Sequence, residues 1–215
     1  FMPNMPESII AMLAATSMGA TWSSCSPDFG IKGVLDRFGQ IKPRVLFTAN
    51  GYSFKGQKLD SLERISNILK ELPSIEKVVV VPYTEQQADI SAIENGVHYQ
   101  DFRSSESGLE IEFEQLPFGH PLYIMYSSGT TGLPKAAMLT HYNLVSLQQQ
   151  VICFWPFMEE GNETVIAFLP FFHIYGQVLL MLGALTQGHT IVLFTAPDLE
   201  DILEAVERYQ ASAFY

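Results

Sequence analysis

Lys77-Val78-Val79-Val80-Val81 sets four β-branched residues in a row with no polar alternation. A strand with one wet face alternates apolar and polar side chains, whereas an unbroken valine run fits a strand covered on both faces. Just upstream, residues 60–71 carry apolar side chains at helical spacing and end at Leu72-Pro73. The proline lacks an amide hydrogen and its ring clashes with the preceding turn, so a helix stops there. A helix leading into a doubly buried strand is the unit of a parallel sheet, because parallel strands need a crossover between them.

The same alternation extends both ways. Toward the N-terminus, residues 44–49 after Pro43 predict a strand and residues 31–40 a helix. Residues 23–30 read as a loop, 20–22 as a short strand and 7–18 as a helix closed by Gly19. Toward the C-terminus, residues 82–115 lose periodicity and gather acidic and small residues, predicting irregular connections with one strand near 97–100. Residues 122–126 and 136–139 are short apolar runs on either side of a Ser/Thr/Gly-rich loop. Thr140 can cap a helix over 141–152, its hydroxyl accepting a bond from a free first-turn amide. A strand over 164–169, a helix over 176–186, a strand over 189–194 and a helix over 198–209 complete the series. The fold class this predicts is α/β, with mainly parallel sheets and flanking helices. There is no internal repeat, low-complexity tract or interdomain linker. The start at Phe1 and the stop at Ala213-Phe214-Tyr215, where a strand begins, lead us to expect part of a larger protein.

Composition narrows the function classes. The chain has 215 residues, 47% hydrophobic and 16% charged, enough to bury a sizeable core. Twenty-three acidic against twelve basic residues give a net charge of −11, which repels nucleic acid and anionic lipid surfaces as partners. Cys25 and Cys153 are the only cysteines, too few for a disulfide framework and without C-x-x-C spacing, so a reducing, cytoplasmic compartment is expected. Residues 165–185 could mimic a membrane span, but Pro170, His173, Gly176 and Gln177 interrupt them. A spanning helix needs about 20 mainly apolar residues, and none is predicted.

The chemistry concentrates in Tyr126-Ser127-Ser128-Gly129-Thr130-Thr131-Gly132-Leu133-Pro134-Lys135. Glycines admit φ > 0 and close backbone approach, so successive amides can converge on an anion. Hydroxyls add donors, and Lys135 adds a compact positive charge. These are the parts of a polyphosphate clamp. The spacing differs from G-x-x-x-x-G-K-[ST], because Lys135 follows Pro134 and leads into a predicted strand rather than a helix. Read without further context, a polar hairpin turn is the alternative.

The loop resembles the signature of the adenylate-forming superfamily of acyl-CoA synthetases, luciferases and peptide-synthetase adenylation domains. The resemblance implies AMP-forming acid–thiol ligase chemistry, with ATP, Mg2+ and CoA as cofactors and cosubstrates and a small-molecule carboxylic acid as substrate. It implies that Ser127, Ser128, Gly129, Thr130, Thr131, Gly132 and Lys135 bind the β- and γ-phosphates of ATP, with Lys135 and Thr131 as the catalytic pair. A second segment, Leu169-Pro170-Phe171-Phe172-His173-Ile174-Tyr175-Gly176, is similar to the stretch that borders the family's acyl pocket. There His173 would be a gate, with Tyr175 and Gly176 beside the substrate; the alternative is a packed core histidine. Thr140-His141-Tyr142-Asn143-Leu144 also matches the family, where His141 would start a helix. His98, His120 and His189 stand singly, without metal-ligand spacing, so no metal ligands are expected.

Two likenesses divide the chain. Residues 1–135, including Ser26-Pro27-Asp28-Phe29-Gly30 and Val34-Leu35-Asp36-Arg37-Phe38, resemble acetoacetyl-CoA synthetases. Residues 136–215 resemble 4-coumarate-type and medium- or long-chain acyl-CoA ligases. The resemblance implies that residues 1–215 belong to the large N-terminal AMP-binding domain. The segments holding adenine and ribose, and the small mobile C-terminal domain, would lie outside them, so the 215 residues are expected to be inactive alone. A carrier protein instead of CoA as acceptor, a non-catalytic nucleotide-binding module, or a structural fragment are the other readings the residues permit.

Overall fold

The computed structural model describes residues 1–54, 56–127, 132–154, 158–195 and 198–213. Helix α1 (Pro6–Ser17) precedes the short strand β1 (Trp22–Ser23), and α2 (Ile31–Ile41) precedes β2 (Val45–Ala49). A hairpin follows, β3 (Gly51–Phe54) and β4 (Gln57–Asp60), then α3 (Leu62–Glu71), β5 (Lys77–Val81), β6 (Gly96–His98) and one helical turn, α4 (Tyr99–Phe102). The second half runs β7 (Pro121–Ser127), β8 (Lys135–Thr140), α5 (His141–Phe154) and β9 (Thr164–Ala167). A π-helix at Tyr175–Leu182 continues into α6 (Gly183–Thr186), before β10 (Thr190–Leu193) and α7 (Leu199–Arg208).

The valine strand is central, as its sequence predicts. β5 pairs in parallel with β2 on one edge, Val45 against Lys77 through Ala49 against Val81, and with β6 on the other. Val78 and Val80 pack with Val34 and Phe38 of α2 and Ile65 and Ile68 of α3. Val79 and Val81 point the other way, into a cluster with Ala49, Tyr99 and Met5. The four valines are therefore buried on alternate faces, as a strand between two layers requires. β9 repeats the pattern: it pairs in parallel with β10, with Val165 under the π-helix and α6 and Ile166 against α7. Ala213 adds a parallel bridge to Val165.

The third sheet is mixed. β1 runs parallel to β7, and β7 antiparallel to β8. Four of the six strand pairings among the described residues are parallel, in keeping with the predicted class.

Three local departures from the sequence reading have physical causes. The β3–β4 hairpin was not predicted, because Gln57, Lys58 and Asp60 are polar and exposed and offer no apolar alternation. It is set by Gly56 at φ +76° and by Gly51, where a Cβ would meet the Leu59 carbonyl oxygen at 2.5 Å. The strand predicted near 97–100 stops at His98, and the chain turns helical at Tyr99. The helix predicted over 176–186 begins one residue earlier and is π-helical over Tyr175–Leu182, a form that apolar periodicity does not distinguish from an α-helix. Among the described residues no helix is long and apolar enough to cross a membrane.

Ile68 has 0% exposure beneath β5. Ile68→Ala is expected to lower unfolding free energy by about 2–5 kcal/mol, measured by urea denaturation. Exposed Lys70→Ala should stay within about 0.5 kcal/mol. Equal effects for the two would contradict the packing of α3 on β5.

Candidate functional site

The chemistry-bearing loop is the turn of the β7–β8 hairpin. Ser127, the last residue of β7, pairs across the neck with Lys135, the first of β8, and both are exposed. Lys135 has no carboxylate partner among the described residues, so its charge is available to a ligand. Gly132 holds φ +102°, a conformation that side-chain-bearing residues rarely adopt. Ser128, Gly129, Thr130 and Thr131 lie outside the described residues. Because the loop opens from β7 and closes into β8, it does not itself lead into a helix N-terminus. Positive charge at the neck comes from Lys135 itself.

The neck is braced from α2. The Gln40 Nε2 donates to the Pro134 carbonyl at 2.9 Å. The Tyr126 hydroxyl donates to the Arg37 carbonyl at 2.6 Å, and burial pushes the Tyr126 phenol up to about 12, keeping it a neutral donor at physiological pH. The Arg37 guanidinium lies 4.3 Å from the Phe29 ring centroid and 5.9 Å from that of Tyr126, within cation–π range. These braces were not foreseen. Nothing in the spacing of residues 37 and 40 announces that the end of α2 meets residues 126 and 134.

The second motif is bound to the same core. Asn4 clamps it, donating through Nδ2 to the Leu169 carbonyl and accepting the Phe171 amide, each at 2.9 Å. Phe172 packs on Phe29 with ring centroids 5.7 Å apart. Tyr126, Arg37, Phe29 and Phe172 therefore form a continuous chain of contacts from the hairpin neck to the residue before His173.

His173 is exposed, so it is not a packed core histidine. Its carbonyl accepts the Gln177 amide at 2.9 Å. Its Nδ1 accepts the Tyr175 amide at 3.3 Å, which favours the tautomer with the proton on Nε2. Tyr175 packs as a wall against Val165, Leu180 and Ala184. Gly176 is required sterically: a Cβ there would sit 2.3 Å from the Pro170 carbonyl oxygen.

The Thr140 cap and the helix start at His141 are both observed. Thr140 caps α5, its Oγ1 accepting the Asn143 amide at 3.3 Å while Asn143 Oδ1 accepts the Thr140 amide at 3.0 Å. His141 begins α5. His120 Nε2 lies 3.0 Å from the Gly19 carbonyl oxygen. Among the described residues no group of three His, Cys, Asp or Glu could hold a metal ion.

The family model for AMP-binding enzymes matches residues 1–215. The chain belongs to the AMP-binding enzyme family. Within that family it is 41% identical over 206 residues to the acetoacetyl-CoA synthetase of Mus musculus, covering 93% of this chain and 30% of that protein. It is 51% identical over 140 residues to that of Gallus gallus, covering 63% of this chain and 21% of that one. The acetoacetyl-CoA synthetase structure from Streptomyces lividans superposes with a TM-score of 0.88 at 31% identity, over 100% of this chain and 32% of that chain. A Rhodopseudomonas palustris protein assigned as a long-chain-fatty-acid CoA ligase shares the fold, with a TM-score of 0.78 at 16% identity over 99% of this chain and 48% of that one. The chain thus spans about a third of the length of the curated relatives it matches.

Two outcomes check this arrangement. Gly176→Ala should disturb the Pro170 turn and lower the unfolding free energy by about 1–3 kcal/mol, measured by urea denaturation; unchanged stability would contradict the close approach. Cys25 is buried and its thiol is pushed up to about 11 by desolvation, whereas Cys153 is exposed. Since the thiolate is the nucleophile, iodoacetamide at pH 8 should label Cys153 alone in the native chain and both residues after unfolding, read by peptide mass.

Proposed function

We propose that this chain is part of the large N-terminal AMP-binding domain of an AMP-forming acid–thiol ligase. Its own residues would grip the triphosphate of ATP and border the carboxylic acid. The observation that carries the reading is the hairpin neck, where Ser127 faces an unpaired, exposed Lys135 across a Gly/Ser/Thr loop, in a member of the AMP-binding family.

In this reaction a carboxylate oxygen attacks the α-phosphorus of ATP. The bond to the bridging oxygen breaks, pyrophosphate leaves with its electron pair, and an acyl-adenylate remains. The thiol of CoA then attacks the acyl carbon, losing its proton and expelling AMP. Negative charge accumulates on the phosphoryl oxygens as pyrophosphate departs, so donors already aimed at those oxygens lower the barrier without reorganising. Ser127, Ser128, Thr130 and Thr131 would supply hydroxyl donors. Gly129 and Gly132 would let the backbone approach, and Lys135 and Thr131 would carry the charge-stabilising role. Magnesium bound to the nucleotide would neutralise further phosphate charge.

The acid attacks as an ionised carboxylate, so the first step needs no base from His173. With its proton on Nε2 it can donate a hydrogen bond to the acid or the acyl-adenylate. Tyr175 and Gly176 would shape the pocket wall behind it. The relatives' names make acetoacetate the first acid to test, beside coumarate and fatty acids. A reducing compartment such as the cytoplasm suits the two free cysteines, and the net charge of −11 disfavours nucleic acid as a partner.

Lys135→Ala in the full-length protein is expected to weaken ATP binding and to lower ATP–pyrophosphate exchange about 100-fold. Ile68→Val serves as a control for general destabilisation. Exchange within twofold of the unaltered protein would remove the phosphate-binding role from the hairpin.

A further inference from the structure

Arg64 stands half-buried in the first turn of α3. The helix dipole disfavours a cation there, and among the described residues Arg64 has no carboxylate partner. Its guanidinium is turned onto neutral groups instead. Nη1 donates to the Pro27 carbonyl at 2.7 Å and to the Phe29 carbonyl at 3.3 Å. Nη2 reaches the Tyr52 hydroxyl at 3.5 Å, and the guanidinium carbon lies 5.6 Å from the Tyr52 ring centroid, within cation–π range. A residue that breaks the local rule of its own helix is kept for what it holds elsewhere.

What Arg64 holds is a turn. The Ser26 Oγ accepts the Asp28 amide at 3.2 Å and the Ser26 carbonyl accepts the Phe29 amide at 3.1 Å. Those bonds shape the turn, and the charge-assisted bonds from Arg64, stronger than neutral ones, tie it to α3. The platform is rigid: Ile65, the next residue, is fully buried in the cluster with Val78 and Val80 of β5.

The turn in its place carries Phe29, whose ring centroid lies 5.7 Å from that of Phe172, the residue before His173. We propose that Arg64 is a positioning residue for acid activation: it fixes Phe29, and Phe29 sets the place of Phe172 and of the exposed His173 that follows. The inference rests on the reading that the second motif borders the acid, and it adds to that reading a residue that touches no substrate. The hairpin neck has braces of its own, from Tyr126 to the Arg37 carbonyl and from Gln40 to the Pro134 carbonyl. Neither bond passes through Phe29, so loosening the turn should be felt by the acid and not by the nucleotide.

The test is ATP–pyrophosphate exchange by the full-length protein, with acetoacetate, coumarate and octanoate offered as acids and the KM for acid and for ATP measured separately. Arg64→Ala should raise the KM for the activated acid about tenfold and leave the KM for ATP within twofold. Phe29→Ala should do the same, and the double variant should be no worse than Phe29→Ala alone, since residues acting through one contact are not additive. Arg64→Lys keeps the charge without the planar fork, so its KM for the acid should fall between those of Arg64→Ala and the unaltered protein. Should Arg64→Ala fail to fold, Arg64→Lys decides: a raised KM for the acid alone supports the inference, and an unaltered one overturns it. An acid KM within twofold of normal in Arg64→Ala, a rise shared equally by acid and ATP, or single effects that multiply in the double variant each overturns the inference and leaves acid activation standing. An unaltered protein that exchanges with no acid overturns acid activation and this inference together.

Discussion

The structure depends on one strand that has no free side. β5 is hydrogen-bonded along both edges and buried on both faces, so it can exist only if helices cover it from two directions. Four valines in a row meet that condition cheaply: β-branched side chains lose little conformational freedom in a strand. Parallel pairing of β2 with β5 then requires a crossover, made through α3, and α2 packs with α3 over the same face of β5. This fixes the end of α2 where Gln40 and Tyr126 can brace the hairpin neck.

The hairpin itself departs from the parallel rule, and the departure matters. An antiparallel pair can be joined by a short turn, which concentrates amides, hydroxyls and one lysine at the sheet's end. A loop opening into a helix would add the partial charge of the helix terminus; this one closes into a strand, with Lys135 at its neck. The braces compensate mechanically. Backbone carbonyls on α2 and in the loop are held by Tyr126 and Gln40, and the Arg37 guanidinium is occupied between two rings rather than offered to an anion.

Much of this was legible in one dimension because it rests on local chemistry. The valine run, the Leu72-Pro73 stop, the Thr140 cap and the strand character after Lys135 each follow from residue type and spacing. The β3–β4 hairpin was not legible, since its strands are polar and its geometry is set by two glycines. The π-helix was invisible because its apolar residues suit an α-helix equally well. At the candidate site, the hydroxyl- and glycine-rich loop could be found from its composition, but Gln40, Arg37 and Asn4 could not. Their partners are far away in sequence, and a lone glutamine or asparagine carries no signature.

The Thr140–Asn143 pair closes α5 directly onto β8, with no residue of slack between strand and helix. Such a joint transmits displacement as a stiff rod does, where a flexible connector would absorb it. Any shift of Lys135 along the strand would therefore be delivered down α5 to Gln148, and through its bond to the Val178 carbonyl into the wide-turned helix that carries Tyr175. Strand β8 and the helix that carries Tyr175 are in this way joined through α5 and the Gln148–Val178 hydrogen bond.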